Sequence, residues 1–525
     1  MLRSRLNNSR LPSRSCIVNG LRILWVLVVL WHELAVFDWT LRTCHWPDSQ
    51  QAQSLNLRVA RILVIADPQV LDKHSYPERN LFTSFLSQVM VDLNLRKSWH
   101  AAFHHLRPDA VVVLGDMMDN GRSLMSNSEY KTYHERYRDI FKAYECSVPT
   151  YYLPGNHDVG LGAAASFSLE ADSRYTSHFG PRNHYVSVGN HTLVFIDATA
   201  LAEEDVLRAG RGHSFDNWPA VRHGPIEFVK RIAESHSGGS IVLFTHIPLA
   251  RPQDASCGPL RERGTIRQGF GFGYQNTLMD GATVFLLDRL KPSLILSGDD
   301  HDYCDYQHTI PSTNTSVREV TVKSFSIAMG VRRPGFQLLS LISTVPLQDS
   351  LNQVPVLPPL DTPCFLPNQI GIYLQVYFPL FILSLVILLL CNISWSTQRT
   401  WSAKRARCEA RMDSYEFSRG MVGDSLRSRS ADARYETNHP LSLPLPVSKP
   451  LDIDFGFTWW KGRWWTSVFH RFKLRTQRHR IPSLLRRSSY RHEAGVLHAF
   501  TKDVLNVAWP AVSAFVVAAW WVMQR

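Results

Sequence analysis

The sequence predicts an α/β fold with flanking transmembrane helices, on three observations. Five short apolar stretches rich in β-branched residues each end abruptly in a turn that carries Asp, Asn or His. Between the first two runs a long segment with apolar residues at helical spacing, the alternation that layered α/β proteins require. Outside this region lie three apolar runs of near-bilayer length, at residues 20–37, 370–393 and 504–523.

Residues 1–19 carry Arg3, Arg5, Arg10 and Arg14 with no acid. Ahead of an apolar stretch this suits a cleaved signal peptide or a retained anchor. Bulky residues in 20–37, interrupted by Arg22, His32 and Glu33, and no small-residue cleavage site after them favour the anchor. Residues 38–57 read as a polar linker into the first strand, Ile62 to Ala66. Glu78 to Leu106 puts Leu81, Phe85, Val89, Leu93 and Phe103 at helical spacing and is expected to cover the sheet. Val111 to Leu114 is the next strand, Glu129 to Tyr144 a helix, and Thr150 to Leu153 a third strand. His184 to Val188 and Thr192 to Ala198, joined by Gly189-Asn190-His191, read as a hairpin. Ile241 to Phe244 and Ser293 to Leu296 are further strands, and EVTVKSFSIAMG from Glu319 reads as one more. Strands that alternate with helices at first and pair directly later favour a mixed sheet or two packed sheets. Arg251 to Asp280 has no period and is expected to be a long lid loop, whose Arg261, Arg263 and Arg267 either meet a phosphate or are solvated charges.

Residues 370–393 hold no charge and form the clearest membrane segment; 504–523 contains Pro510, which membrane helices tolerate. Between them, 394–503 hold 21 Lys/Arg and 10 Asp/Glu, so almost all of the +12 net charge sits there. The remainder is near neutral, which argues against a nucleic-acid partner. Trp459, Trp460, Trp464 and Trp465 beside Lys461 and Arg463 suit a membrane surface or helix packing, and Arg419 to Arg434 has the composition of a disordered segment. Basic flanks stay cytosolic, which places 1–19 and 394–503 in the cytosol and 38–369 in the lumen. Sequons at Asn190 and Asn314 fall in the lumenal span. So do Cys44, Cys146, Cys257, Cys304 and Cys364, an odd set that leaves one unpaired.

The strand-end residues are Asp67, Asp116, Asn156 with His157 and Asp158, His246, and Asp299 to His301. Two divalent cations need one carboxylate between them and oxygen and imidazole ligands around them, and these loops supply such a set. Singly each residue is as well explained by a turn, a cap or a core histidine; the ordered series is far more specific.

At these positions the chain resembles the calcineurin-like metallophosphoesterases, whose pattern is DxH, GDxxD, GNH followed by Asp or Glu, a strand-end His, and GHxH. Here they stand as DPQ at 67–69, GDMMD at 115–119, GNHD at 155–158, THIP at 245–248 and GDDH at 298–301. The resemblance spans residues 58–335 and implies a four-layer α/β/β/α sandwich. It implies that Asp116 bridges two metals, Asp67 and His301 holding one, Asn156 and His246 the other. His157 would contact the phosphate and protonate the leaving oxygen, with Asp158 orienting its ring. Gln69 and Asp299 depart from the pattern, each replacing a histidine: Asp299 can still ligate, whereas Gln69 is a weak ligand. Asp119 and Arg122 are secondary candidates beside a plain turn reading. GDMMDNGR, GNHDVGLG and GDDHDYC between membrane segments look like the branch that includes the fungal cell-division-control phosphoesterase and the mammalian post-GPI-attachment remodelling phosphoesterase. That branch implies removal of ethanolamine phosphate from a mannose of the GPI glycan, with two divalent ions, Mn2+, in the endoplasmic reticulum or early Golgi membrane. GPI-anchored proteins or GPI lipid would be the substrate. The alternatives are a phosphoesterase of this fold acting on a phosphoprotein or nucleotide, and a metal-free scaffold.

Overall fold

The computed structural model describes residues 13–50, 57–142, 148–162, 166–236, 238–344, 357–424 and 495–524. It divides into a principal unit, Met1–Cys391 with Phe500–Arg525, and a second, Asn392–Ala499. In chain order the strands are β1 (Leu57–Ile65), β2 (Ala110–Val113), β3 (Thr150–Tyr152), β4 (His184–Val188), β5 (His191–Ile196), β6 (Ser240–Thr245), β7 (Phe270–Gly271), β8 (Tyr274–Gln275), β9 (Leu294–Ser297), β10 (Cys304–Ile310), β11 (Thr315–Thr321), β12 (Gly335–Thr344) and β13 (Leu360–Phe365). The helices are α1 (Arg14–Leu41), α2 (Leu81–Leu106), α3 (Asn127–Ile140), α4 (Asn156–Val159), α5 (Ala171–Phe179), α6 (Ala198–Gly210), α7 (Pro225–Ser235), α8 (Asp280–Leu290), α9 (Gln369–Asp424) and α10 (Val496–Gln524).

Period-two burial on β1 explains the layers. Leu63 and Ile65 point into a core shared with Val91, Leu95 and Trp99 of α2, while Ile62 and Val64 point the other way, against Phe195, Phe244 and Leu296. One sheet runs β13-β12-β1-β2-β3, the other β10-β11-β9-β6-β5-β4, and their inner faces meet in that second core. α6, α7 and α8 cover the outer face of the second sheet through Leu201, Ile226, Val229 and Leu286. The expected four layers, α/β/β/α, are therefore present. β1, β2 and β3 are parallel to one another, as are β5, β6 and β9, so their carboxyl ends gather where ligands usually sit in such sheets.

Several expectations are corrected. EVTVKSFSIAMG is a strand only through Thr321; its later residues turn and enter a 3-10 helix at Ile327–Met329 because Phe325 pairs back to Ala66 through its backbone. Ala198 opens α6 rather than closing β5, since the Asp197 side chain accepts from the Ala200 N–H and caps a helix there. The 251–280 loop carries the β7–β8 hairpin. The expected disordered stretch from Arg419 is helical as far as Asp424, the continuation of a helix already nucleated in the apolar segment before it. Its remainder and the Trp459–Trp465 cluster lie outside the described residues, as does Cys146. Cys44–Cys364 and Cys257–Cys304 are disulfides.

α1, α9 and α10 are each long and apolar enough to cross a membrane. They share ends. Arg14 Nε lies 2.7 Å from Asp503 Oδ2, then Val18 and Leu21 pack with Leu388 and Val507. At the opposite end of α1, Glu33 is buried, and its carboxylate lies 2.7 Å from Lys97 Nζ of α2. Gln369 Nε2 donates to it at 3.3 Å and the Tyr377 hydroxyl at 3.1 Å. Both helices widen into a π-turn here, Trp31–Ala35 in α1 and Tyr373–Tyr377 in α9. What looks like an interruption of an apolar run is thus the joint between the long apolar helices α1 and α9 and the layered domain.

Candidate metal centre

Three of the strand ends, after β1, β2 and β9, deliver their residues through a backbone kink. Five of the nine non-glycine residues with positive φ among the described residues are Asp67, Gln69, Asp116, Asp299 and His301. Left-handed backbone is costly for side chains bearing Cβ, and its concentration here marks a site whose geometry is held by the surrounding fold. Space is equally constrained. A Cβ on Gly155 would stand 2.1 Å from Asp116 Oδ1, and one on Gly115, φ +87°, 2.5 Å from His246 Nδ1.

Two sets of ligand atoms result, and they share one carboxylate. Asp67, Asp116 and His301 form the first; Asp116, His246 and Asp299 form the second. In the second set, His246 Nδ1 donates to the Leu114 carbonyl at 2.6 Å, which turns Nε2 inward. There it meets Asn156 Oδ1 at 3.1 Å, Asp299 Oδ1 at 3.4 Å and Asp116 Oδ1 at 3.5 Å. The Asn156 amide is oriented by its Nδ2, which donates to the Gly273 carbonyl at 2.8 Å. Four electron-pair donors therefore converge on one point. In the first set, the buried Asp67 Oδ2 has no hydrogen-bond partner. A divalent cation in each set is what satisfies these atoms, so the residues fit a two-metal group.

Electrostatics agree. Burial drives the Asp67 carboxyl well up, with Asp116 and Asp299 adding to it. Asp116, although burial opposes its charge, is held far below the usual carboxylate range by His246 and His157. His246 is driven well up by Asp116 and Asp299 against the effect of burial, and burial lowers His301. A pocket that holds protons on its imidazole this strongly is a pocket for positive charge.

Around the sets the structure distributes roles differently from the sequence expectation. Gln69 Nε2 donates to Asp116 Oδ2 at 2.9 Å and lies 3.3 Å from His301 Nε2, so the amide braces the shared carboxylate instead of ligating. Asp158 does not orient the His157 ring. Its carboxylate accepts from the backbone N–H groups of Asp116 at 2.7 Å and Gly155 at 2.9 Å, which ties two strand-end loops together. Burial and the Asp116 charge push that carboxyl up to about 7. The His157 ring is oriented by Asp119, whose carbonyl accepts from Nδ1 at 2.6 Å and whose carboxylate is 3.7 Å away. A backbone acceptor leaves no trace in sequence, which is why this role was missed. Arg122 Nη1 is held between the carbonyls of Asn156 at 3.1 Å and Gly273 at 2.8 Å, so the hairpin of the lid loop reaches the site through Gly273. Of the lid arginines, Arg261 is committed to Asp300 at 2.5 Å, next to Asp299, and is not available as a lone phosphate contact.

With this geometry in hand, comparisons with known proteins are specific. Residues 60–303 match the family described as calcineurin-like phosphoesterase. The chain is similar to cell division control protein 1 of Saccharomyces cerevisiae, 31% identical over 333 residues, covering 61% of this chain and 62% of that protein. It is similar to metallophosphoesterase 1 of Ailuropoda melanoleuca, 26% identical, covering 60% of this chain and 78% of the relative. Among solved structures it is similar to a purple acid phosphatase from yellow lupin seeds, 13% identical, covering 58% of this chain and 53% of that one, with a TM-score of 0.34. The match thus spans less than two thirds of the yeast relative's own length.

Proposed function

Residues 60–303 form a calcineurin-like phosphoesterase domain, and on that premise we propose that this chain is a membrane-anchored, two-metal phosphodiesterase that removes ethanolamine phosphate from a mannose of GPI anchors. One observation carries the reaction class: two ligand sets share Asp116, and in one of them Asn156 Oδ1, His246 Nε2, Asp299 Oδ1 and Asp116 Oδ1 converge. Asp67 and His301 would hold one ion, Asn156, His246 and Asp299 the other, with Asp116 between them. Bound there, the ions supply an activated nucleophile and neutralise charge developing on the phosphoryl oxygens. The chain's own residues do the rest. With Nδ1 tied to Asp119, His157 keeps its other ring nitrogen for the departing sugar oxygen, to which it gives a proton. Arg122, fixed by two carbonyls, supports a phosphoryl oxygen, and the Gly273 turn of the lid limits water. Oxygen-rich ligands, with Gln69 and Asp299 where histidines would favour zinc or iron, favour Mn2+.

The GPI substrate rests on the motif resemblance. A lumenal site in the early secretory pathway is supported by two disulfides in the span between α1 and α9, by sequons in the turns at Asn190 and Asn314, and by the basic stretch beyond α9. Purified full-length protein with Mn2+, offered GPI intermediates of defined ethanolamine-phosphate pattern, should release one of them. Hydrolysis of phosphoprotein or nucleotide in preference to every GPI intermediate would reject the substrate while leaving the two-metal chemistry standing.

A further inference from the structure

α2 has two opposite faces, and only one of them belongs to the sheet. Leu95, Trp99 and Ala102 point into the core beneath the first sheet. Half a turn away, Leu93 and Lys97 share the wall of a small cavity with Ala518 and Val522 of α10, and Lys97 and His100 line a larger cavity of about 320 Å³ with Leu34 of α1 and Trp521 of α10. This second face is therefore the one that rests on the membrane helices. At 100° per residue the same stripe continues toward the helix N-terminus through Leu86 and Phe82. Among the described residues nothing covers it here. Phe82 is 73% exposed and Leu86 47%, with Phe85 beside them at 63%. At 1.5 Å per residue Phe82 lies about 22 Å along the axis from Lys97, roughly two helix diameters beyond that contact.

We infer that the N-terminal half of α2 is a membrane-surface helix: its Phe82–Leu86 stripe lies on the bilayer that surrounds α1 and α10. The argument is continuity. A face packed on transmembrane helices at one end and turning bare and apolar at the other meets lipid where those helices stop. The consequence reaches the metal centre, because the turn that leads into α2 is pinned to it. Asn120, the neighbour of Asp119, donates from Nδ2 to Asp72 Oδ1 at 2.8 Å, and Val70 pairs its backbone N–H with the Met117 carbonyl at 3.1 Å. Docking α2 on lipid would fix the mouth of the site at a set height above the bilayer, over which a lipid-linked glycan projects its phosphodiester.

This inference rests on the reading of α1 and α10 as membrane-spanning, and its test separates the two. Full-length protein in lipid nanodiscs would carry a benzoyl-phenylalanine photoprobe in place of Phe82, of Val517 on exposed α10, or of Val206 on α6 in the layer farthest from α2. After irradiation, mass spectrometry should find lipid adducts at positions 82 and 517 at least tenfold above position 206. Adducts at 517 with none at 82 would overturn the interfacial helix while sparing the membrane spans. A crosslink from 82 to a second copy of the chain would assign the stripe to a dimer instead. Absence of lipid adducts at 517 would remove the membrane reading and this inference with it.

Discussion

Replacing Glu33 by Ala takes the counter-charge from an ammonium that the fold cannot return to water. Lys97 has a side chain 8% exposed and Glu33 one of 3%, and burial already depresses the Lys97 pKa despite the Glu33 charge. Removing one partner of a buried pair costs about 3–5 kcal/mol, because the remaining ion stays desolvated. The Tyr377 and Gln369 donors lose their acceptor as well. For a domain of this size that corresponds to a fall in melting temperature of the order of 10 °C. The double variant Glu33→Leu with Lys97→Met removes both charges and should recover most of the loss, within about 2 kcal/mol of the parent. Thermal unfolding in detergent, followed at a fixed scan rate because membrane proteins unfold irreversibly, measures both. A single variant within about 1 °C of the parent, or a double variant as unstable as the single, would refute the claim that a buried charge pair joins α2 to the membrane helices.

Four more outcomes are expected. Asp116→Ala should lose both metals, read as bound metal per chain by elemental analysis after dialysis; retention of two ions would exclude the shared carboxylate. His157→Ala should keep its metals and slow turnover by roughly 10²-fold, the scale of general-acid catalysis; unchanged turnover would take the proton from another group. Gln69→His should raise zinc retention relative to Mn2+ by adding an imidazole beside His301, and an unchanged ratio would show that Gln69 does not set metal preference. Glu319 is fully buried, yet Arg251 and His308 hold its carboxyl down to about 2 against the ordinary value of 4.5. Its contribution, about 3 kcal/mol at about 1.4 kcal/mol per pKa unit, is present above pH 4.5 and is lost as pH falls toward 2. The stability gap between parent and Glu319→Gln should therefore close across that window, and a gap independent of pH would contradict the assignment.

How much of this was legible beforehand depends on where each feature keeps its information. Strands β1, β2, β6 and β9 are buried on both faces, so their runs of Ile, Leu and Val announce themselves. β10, β12 and β13 do not: Gln307, Gln337, Ser340 and Asp361 interrupt them, each with a partner that only the fold supplies, as when Gln337 Nε2 donates to Asp361 Oδ2 at 2.6 Å. The metal-centre side chains could be found because chemistry needs particular residue types at strand ends. Their supports could not, since the Leu114, Asp119 and Gly273 carbonyls act through backbone that any residue carries. Glu33 was visible but misread. An acid in an apolar run looks like a flaw until the distant Lys97 and Gln369 are brought beside it.

The disulfide between Cys44 and Cys364 joins the residues just after α1 to those just before α9, 320 positions apart. The layered domain is thereby enclosed in one covalent loop whose two ends both return to the long apolar helices α1 and α9. A single proteolytic cut anywhere in that loop leaves each product tethered by its own helix and bonded to the other, so shedding of a soluble domain by one cleavage is ruled out by topology. Even with the disulfide reduced each product keeps its own helix, so only two separate cuts could free any part of it. On the proposed membrane reading, whatever the metal centre acts on must be reached from a fixed point on the bilayer.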